Sequence, residues 1–233
     1  MLTINVNKTE LLLFSNRLTE NNNQQVILNN SYVSYVEKAK FLGVIVDNKL
    51  NFKYHINHVV GKISKHAGIL FKIKCNLTHS ARMTYYNSFV MPYLSYNVLH
   101  WGNTNVTHLK PLITLQKRII RCISDAKFTD NSTPLFYRLG ILKLEDLYKF
   151  YAILDTRDKF LNKGEYATEH SRVTRNCQLA FPKFHRLEKT QQSVTFQGPT
   201  LWNTLPEELK NIRSLPLFKV KLKKYFISKY SNL

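Results

Sequence analysis

From residue 48 to residue 124 the chain carries eleven Lys and Arg residues and not one Asp or Glu. A folded segment of 77 residues without a carboxylate cannot neutralise its charge through internal ion pairs. It repels itself unless a polyanion lies against it, which makes nucleic acid the leading partner and an anionic membrane the second. A surface evolved only for solubility would mix both signs. The flanks behave differently. Residues 1–47 balance four basic with four acidic side chains, residues 125–169 carry a net −1, and residues 170–233 a net +9, within a total of +19.

The acid-free segment is also where the apolar period becomes helical. Ile56, Val59, Val60, Ile63, Ala67, Leu70 and Phe71 recur at three- and four-residue steps, with Lys62, Lys65, Lys72 and Lys74 largely off that stripe. A second helix is predicted from Thr78 as N-cap through Ala81, Tyr85 and Phe89, perturbed at Pro92. A third begins near Thr107 with Pro111 in its first turn. It buries Leu112, Ile113, Ile119, Ile120 and Ile123 and presents Lys117, Arg118 and Arg121 on its other side. Thr133-Pro134 opens a short helix that Gly140 stops, and Leu144 to Phe160 forms a longer one. Residues 161–197 lack a clear period and read as loop with short strands. Ser214 starts a last amphipathic helix, with Phe218, Leu222, Tyr225 and Phe226 inward and Lys219, Lys223 and Lys224 outward.

Before residue 48 the pattern is that of strands. Leu11–Phe14 is a short apolar run, and Gln25–Leu28 with Tyr32–Val36 reads as a hairpin around Asn29-Asn30-Ser31. Phe41–Val46 reads as a buried strand closed by Asp47-Asn48. The expected fold is therefore α+β and predominantly helical. A small N-terminal antiparallel sheet, incomplete on at least one side, precedes a basic helical bundle and a mixed, loop-rich C-terminal region. The divisions fall at 1–48, 49–126 and 127–233. A chain of 233 residues with 44% hydrophobic content can bury a real core. The first twenty residues lack the features of a secretion signal and no apolar run approaches 18 residues, so the expected setting is intracellular, nucleus or cytoplasm, and not secreted.

Chemistry-bearing motifs are sparse. Gly61-Lys62 has Ile56 where a phosphate-binding loop needs glycine, and no GxSxG, HExxH or EF-hand pattern occurs. His55 and His58 stand at i, i+3 without a nearby Cys, Asp or Glu, so a solvated or phosphate-facing pair is favoured over a metal site. Cys177 with His185 rests on composition alone as a nucleophile pair. Cys75 and Cys122 read as small core residues, and three widely spaced cysteines exclude a disulfide framework. Of the carboxylate clusters, Glu145-Asp146 would point its two groups about 100° apart on a helix, and Asp155/Asp158, among Arg157 and Lys159, fits a solvated helix face. Trp101 and Trp202 read as core anchors. No metal or cofactor is expected in this chain.

The order of short motifs carries more than any one of them. Leu2–Asn5 with Asn7-Lys8-Thr9 and Phe14 resembles the "LN..KT....F" segment that follows the catalytic aspartates in reverse transcriptases of non-LTR, LINE-type, jockey-like retrotransposons. Phe41–Val44 with Asp47, Leu50, Phe52 and His55-Ile56 resembles the next block, "FLGV..D..L.W..HI", with Phe52 at the usual Trp. Tyr85–Ser88, Pro92–Tyr96 and Trp101-Gly102 look like "lY.s.v.p.l.Y....WG", and Leu115–Arg118 with Ile120-Arg121 like "lq.k.iR.i". Pro134–Phe136, Leu139–Leu142 and Leu144 match "pLf..l.iL.l". Gly198-Pro199, Leu201–Asn203, Leu205-Pro206, Ser214-Leu215 and Phe218 to Lys223 resemble the closing "GP.lWN.LP..i....sl..FK..lk".

The resemblance implies that residues 1–48 are the end of a palm with primer-grip strands, 49–126 a thumb, and 127–233 the C-terminal region of an RNA-directed DNA polymerase. Lys8 would stabilise or protonate departing pyrophosphate; its bland counterpart is a surface lysine beside a turn. Phe41, Leu42 and Gly43 would form the primer grip, on a hairpin whose glycine admits a sugar-phosphate chain; a buried strand explains Phe41 and Leu42 equally well. Lys62, Lys65, Lys72, Lys74, Lys117, Arg118 and Arg121 would contact the phosphates of an RNA–DNA hybrid without reading bases. The family's Tyr-x-Asp-Asp motif would lie upstream, and this sequence contains no Asp-Asp pair, so the chain alone is expected to be inactive. Mg²⁺ is expected only in a full-length parent enzyme. Other expected partners are the upstream palm and fingers, or a second copy. Two readings stay open beside this one: a stand-alone nucleic-acid-binding module, and a peripheral membrane or partner-binding protein using the basic C-terminal helix.

Overall fold

A computed structural model describes residues 5, 8–14, 26–29, 31–160 and 186–231. Two compact units emerge, residues 1–59 and 60–233. In the first, Val26–Leu28 (β1) pairs antiparallel with Ser31–Val33 (β2), Val26 opposite Val33, as the turn-forming cluster between them predicts. Leu11–Phe14 is not a strand. It contributes one parallel bridge, Leu11 to Tyr35, in which the Leu11 amide donates to the Ser34 carbonyl (3.2 Å) and the Val36 amide to the Leu11 carbonyl (2.9 Å).

The run Phe41–Val46 is not one buried strand either. Lys38–Phe41 (β3) turns back through Leu42 and Gly43 into Val44–Asp47 (β4), Phe41 opposite Val44. Both turn residues have positive φ, 45° and 85°, which the right-handed twist of a two-residue hairpin requires. Turning there buries Val44 and Asp47 and leaves Phe41 and Leu42 69% and 75% exposed. Among the described residues the strands thus make two separate two-stranded sheets where a single sheet was expected.

Asp47 closes β4 and builds the approach to the first helix. Its carboxylate accepts the amides of Lys49 (3.1 Å), Asn51 (3.0 Å) and Phe52 (2.7 Å). Those bonds hold Leu50 and Phe52 at φ 52° and 55°, a region costly for residues with a Cβ. Helix α1, Lys53–Ile73, follows; Ile56 and Val59 are buried, as are Ile63, Ala67 and Leu70 further along, matching the predicted stripe.

The second unit is a helical bundle. Thr78 caps α2 (His79–Phe89) by accepting the Ala81 amide at 3.2 Å. Pro92 falls in the first turn of a separate α3 (Met91–Ser95), and α4 (Val98–Trp101) follows. Asn105 caps α5 (Val106–Ile123) by accepting the Thr107 amide at 3.0 Å, so the helix starts earlier than expected and Pro111 lies inside it, beyond the first turn. Thr133–Leu139 (α6) stops at Gly140, whose φ of 63° suits a left-handed helix end, and Leu144–Asp158 (α7) runs as predicted. Cys122 is buried, but Cys75 is exposed on the turn after α1 and is not a core residue.

Residues 161–185 and Cys177 with His185 lie outside the described residues. Residues 188–197, expected as loop or strand, are largely helical: Glu188–Gln191 (α8) and the start of Val194–Asn203 (α9). Gly198-Pro199 hides this helix, yet serves its packing. A Cβ on Gly198 would stand 2.1 Å from Thr156 Oγ1 and 3.4 Å from the Ala152 carbonyl, so only glycine lets α9 seat on α7. Glu207–Lys210 (α10) and Leu215–Ser228 (α11) complete the unit. Trp202 packs its ring 6.0 Å from that of Phe218 on α11, and buried Arg157 donates to the carbonyls of Ile212 and Arg213 while lying over Phe218. Both Trp101 and Trp202 are core anchors; Trp101 Nε1 donates to the Tyr96 carbonyl at 3.0 Å. Among the described residues no helix is long and apolar enough to cross a membrane.

The α7–α9 seat yields the first prediction. Gly198→Ala should lower stability by about 1–3 kcal/mol through overpacking. Thr156→Ala in the same chain should recover much of that loss, a coupling readable from urea midpoints in a double-mutant cycle.

Candidate nucleic-acid interface

Two buried polar side chains orient α5 and α2 in the second unit. Gln116, on α5, spends its amide inside the core: Nε2 donates to Tyr86 Oη (3.1 Å) and the Leu142 carbonyl (3.0 Å), and Oε1 accepts the Leu144 amide (3.0 Å). Arg82, on α2, donates Nε to the carbonyls of Lys74 (3.0 Å) and Leu77 (3.1 Å), and Nη1 to the Ile123 carbonyl (3.3 Å) and to Asp125 (2.6 Å). The Arg82 hydrogen bond holds the Asp125 carboxyl below the ordinary carboxylate range.

With Gln116, Ile119 and Ile123 turned inward, Lys110, Thr114, Lys117, Arg118 and Arg121 fall on the opposite side of α5. Arg118 is exposed, and its guanidinium lies 5.9 Å from the centroid of the Phe71 ring on α1. Arg121 is half-buried, donates to the Asp130 carbonyl at 2.9 Å and lies over Phe128. Lys62, Lys65 and Lys72 are exposed on α1, and Lys117 is half-exposed. Among the described residues none of these four lysines, nor Arg118, enters an ion pair. Lys74 differs from the rest of the predicted set. It sits 4.0 Å from Asp125, the first carboxylate after the acid-free segment, and is partly neutralised there.

Lys110 belongs to this surface and was not among the predicted contacts. It lines an open cleft of about 350 Å³ between α1 and α5, with Arg118 and the hydroxyl-bearing Ser64, Thr107 and Thr114. Composition marks Lys110 only as one cation among eleven. Its position four residues before Thr114 and eight before Arg118 is the signal that places all three on one helix face.

The first unit carries the other predicted positions. Phe41, Leu42 and Gly43 form the tip of the β3–β4 hairpin, with two large apolar side chains in solvent. Lys8 is exposed, and its amide donates to the Asn5 carbonyl at 3.1 Å. His55 and His58 are not the solvated or phosphate-facing pair expected: His55 is buried and its Nδ1 accepts the Ile45 amide at 3.4 Å. Burial lowers the His55 pKa to about 4, with the charge of His58 adding to the effect. Among the described residues no three His, Cys, Asp or Glu side chains come together, so nothing described would cage a pair of divalent ions.

Comparison with curated proteins places this chain beside the RNA-directed DNA polymerases of non-LTR retrotransposons, the kinship that its motif order indicates. It is 26% identical over 196 residues to the RNA-directed DNA polymerase from mobile element jockey of Drosophila funebris, covering 78% of this chain and 21% of the relative. The probable RNA-directed DNA polymerase from transposon X-element of Drosophila melanogaster is 25% identical over 151 residues, 62% of this chain and 16% of that protein. A retrovirus-related Pol polyprotein from type-1 retrotransposable element R1 of Bradysia coprophila is 27% identical over 104 residues, 43% and 10%. The match therefore spans no more than about a fifth of these relatives' length. No family model and no solved structure matches the chain.

His55 gives a pH prediction. Its folded pKa lies below the value of about 6.5 expected when unfolded, so between those values the unfolded chain binds the extra proton and stability falls as pH falls. The loss should reach on the order of 2–3 kcal/mol by pH 4 and be absent above about pH 7. Replacing His55 with Asn should remove most of that pH dependence in urea midpoints measured from pH 7.5 to 4.5.

Proposed function

We propose that this chain supplies primer-grip and thumb elements of a retrotransposon RNA-directed DNA polymerase, holding an RNA–DNA hybrid by its phosphates. In this reading it corresponds to the end of the palm, the thumb and the C-terminal region of such an enzyme. The observation that carries the proposal is the set of exposed cations on α1 and α5, within a segment that has no acid to neutralise them. Lys62, Lys65, Lys72, Lys117, Arg118 and Arg121 contact phosphates, Lys110 joins them, and Lys74 contributes less because Asp125 lies beside it. At the hairpin tip, Phe41 and Leu42 offer apolar surface and Gly43 close backbone approach to a primer strand. Lys8 would act on pyrophosphate only beside catalytic aspartates. Binding is to backbone, so sequence preference is weak.

A salt titration tests this. If about six phosphates are neutralised, affinity for a hybrid should fall roughly a thousandfold between 50 and 200 mM salt, read by fluorescence anisotropy. Replacing Lys62, Lys65, Lys117, Arg118 and Arg121 by Gln should flatten the slope and weaken all sequences alike. Salt-insensitive binding would sink the proposal. Template-directed primer extension by the chain alone, with Mg²⁺ or Mn²⁺, should be undetectable, because no adjacent aspartate pair exists to hold two metals. Extension above a heat-killed control would show that the active site is misplaced.

The membrane reading keeps one supporting observation: Leu217 and Val220 are about half exposed on α11 among Lys219, Lys223 and Lys224. Deleting α11 cannot test it, since Phe218, Leu222 and Phe226 are core residues. Replacing the three lysines by Gln leaves the core intact. It should abolish flotation with anionic vesicles if the membrane reading holds, and spare most hybrid binding if the polymerase reading holds.

A further inference from the structure

The α1–α5 cleft has chemistry that a simple cationic face does not need. A volume of about 350 Å³ lies at the low end of the range for small organic ligands, far more than one phosphate fills. Its two cations, Lys110 and Arg118, favour an anion, and the Phe71 ring beside the guanidinium braces Arg118. Ser64, Thr107 and Thr114 add three hydroxyls, which can donate or accept. Val60, Pro111 and Leu115 line the same cleft and supply apolar surface on which a flat ring can rest. A ligand that is anionic, bears hydroxyl or carbonyl partners and carries a flat, weakly polar ring fits all three features.

We propose that this cleft holds one unstacked nucleotide of a single-stranded RNA or DNA segment. Phosphate lies toward Lys110 and Arg118, the sugar and base edge toward the hydroxyls, and the base face on Pro111 and its neighbours. This rests on the nucleic-acid reading above but goes beyond it, because a duplex keeps its bases stacked and cannot fill the cleft. The chain should therefore bind a hybrid with a single-stranded extension more tightly than a blunt one.

The test separates charge from shape. In the full chain, Ser64→Leu with Thr114→Leu removes no charge and fills the cleft, while Thr107→Val with Thr114→Val removes hydroxyls at nearly constant volume. For a single strand of about ten nucleotides, each pair should weaken binding several-fold without changing the slope of log affinity against log salt, because every phosphate keeps its cation. Blunt-hybrid affinity should change less than about twofold under both. Lys110→Gln with Arg118→Gln should instead reduce the slope, by about 0.7 for each phosphate of a single strand that is no longer neutralised. Adenosine 5′-monophosphate should compete for the cleft better than inorganic phosphate at equal charge. Single-strand binding that ignores both uncharged pairs, or equal competition by phosphate, would overturn the nucleotide site and leave the proposed function standing. Failure of the unmodified chain to bind any nucleic acid at low salt would overturn the proposed function, and the cleft assignment with it.

Discussion

The amide of Gln116 is the interaction on which the second unit's surface depends. A buried primary amide is tolerated only when its hydrogen bonds are made, and here three are, to Tyr86, Leu142 and Leu144. Those bonds fix the rotation of α5 about its axis. A rotation that kept the amide buried but away from these partners would leave it unpaired, at roughly 1–3 kcal/mol, and one that freed it to solvent would draw cations toward the core. Positive charge on the outer face of α5 is thus a consequence of polar satisfaction inside it. Arg82 does the same at the far end, tying the end of α1, the start of α2 and the end of α5 through four acceptors.

The motifs that link this chain to retrotransposon polymerases divide into two physical kinds. Most are framework. Gly198 permits the α7–α9 approach, Trp202 anchors α9 on α11, and Gly102 sits where a Cβ would meet the Val98 carbonyl at 2.6 Å. Gln116 and His55 are buried hydrogen-bonding residues, and Asp47 is a cap for three amides. Others, among them Phe41 and Leu42 at the hairpin tip and Arg118 on α5, face outward and support no part of the core. Residues that the fold does not need are the ones available to a ligand.

Much of the helical unit was legible in the sequence because its signals are local. Thr78 caps, Pro134 starts and Gly140 stops helices through interactions within one turn, and the α1 stripe repeats over about four turns. The β3–β4 hairpin was hidden because its first turn residue is Leu42, an apolar residue at positive φ inside an apolar run, with none of the Asn-Gly chemistry that marks such turns. Helix α9 was hidden by Gly198-Pro199, whose value lies in a distant contact with Thr156. Of the candidate surface, the acid-free segment gave away the charge but not the facing. Asp125 reaches Lys74 because the chain returns past the end of α1, and the hydroxyls beside Lys110 converge across two helices distant in sequence. Neither is a property of spacing.

Whether nucleic acid lies on the α1–α5 surface can be read directly by cross-linking. An RNA–DNA hybrid with a single-stranded extension and photoreactive uridines would be bound to the full chain at low salt, irradiated, and the linked peptides identified by mass spectrometry. Cross-links are expected within Val60–Ile73 of α1 and Val106–Ile123 of α5, and they should disappear when the salt is raised. Cross-links confined to Leu215–Ser228, or spread evenly over lysines throughout the chain, would contradict that placement.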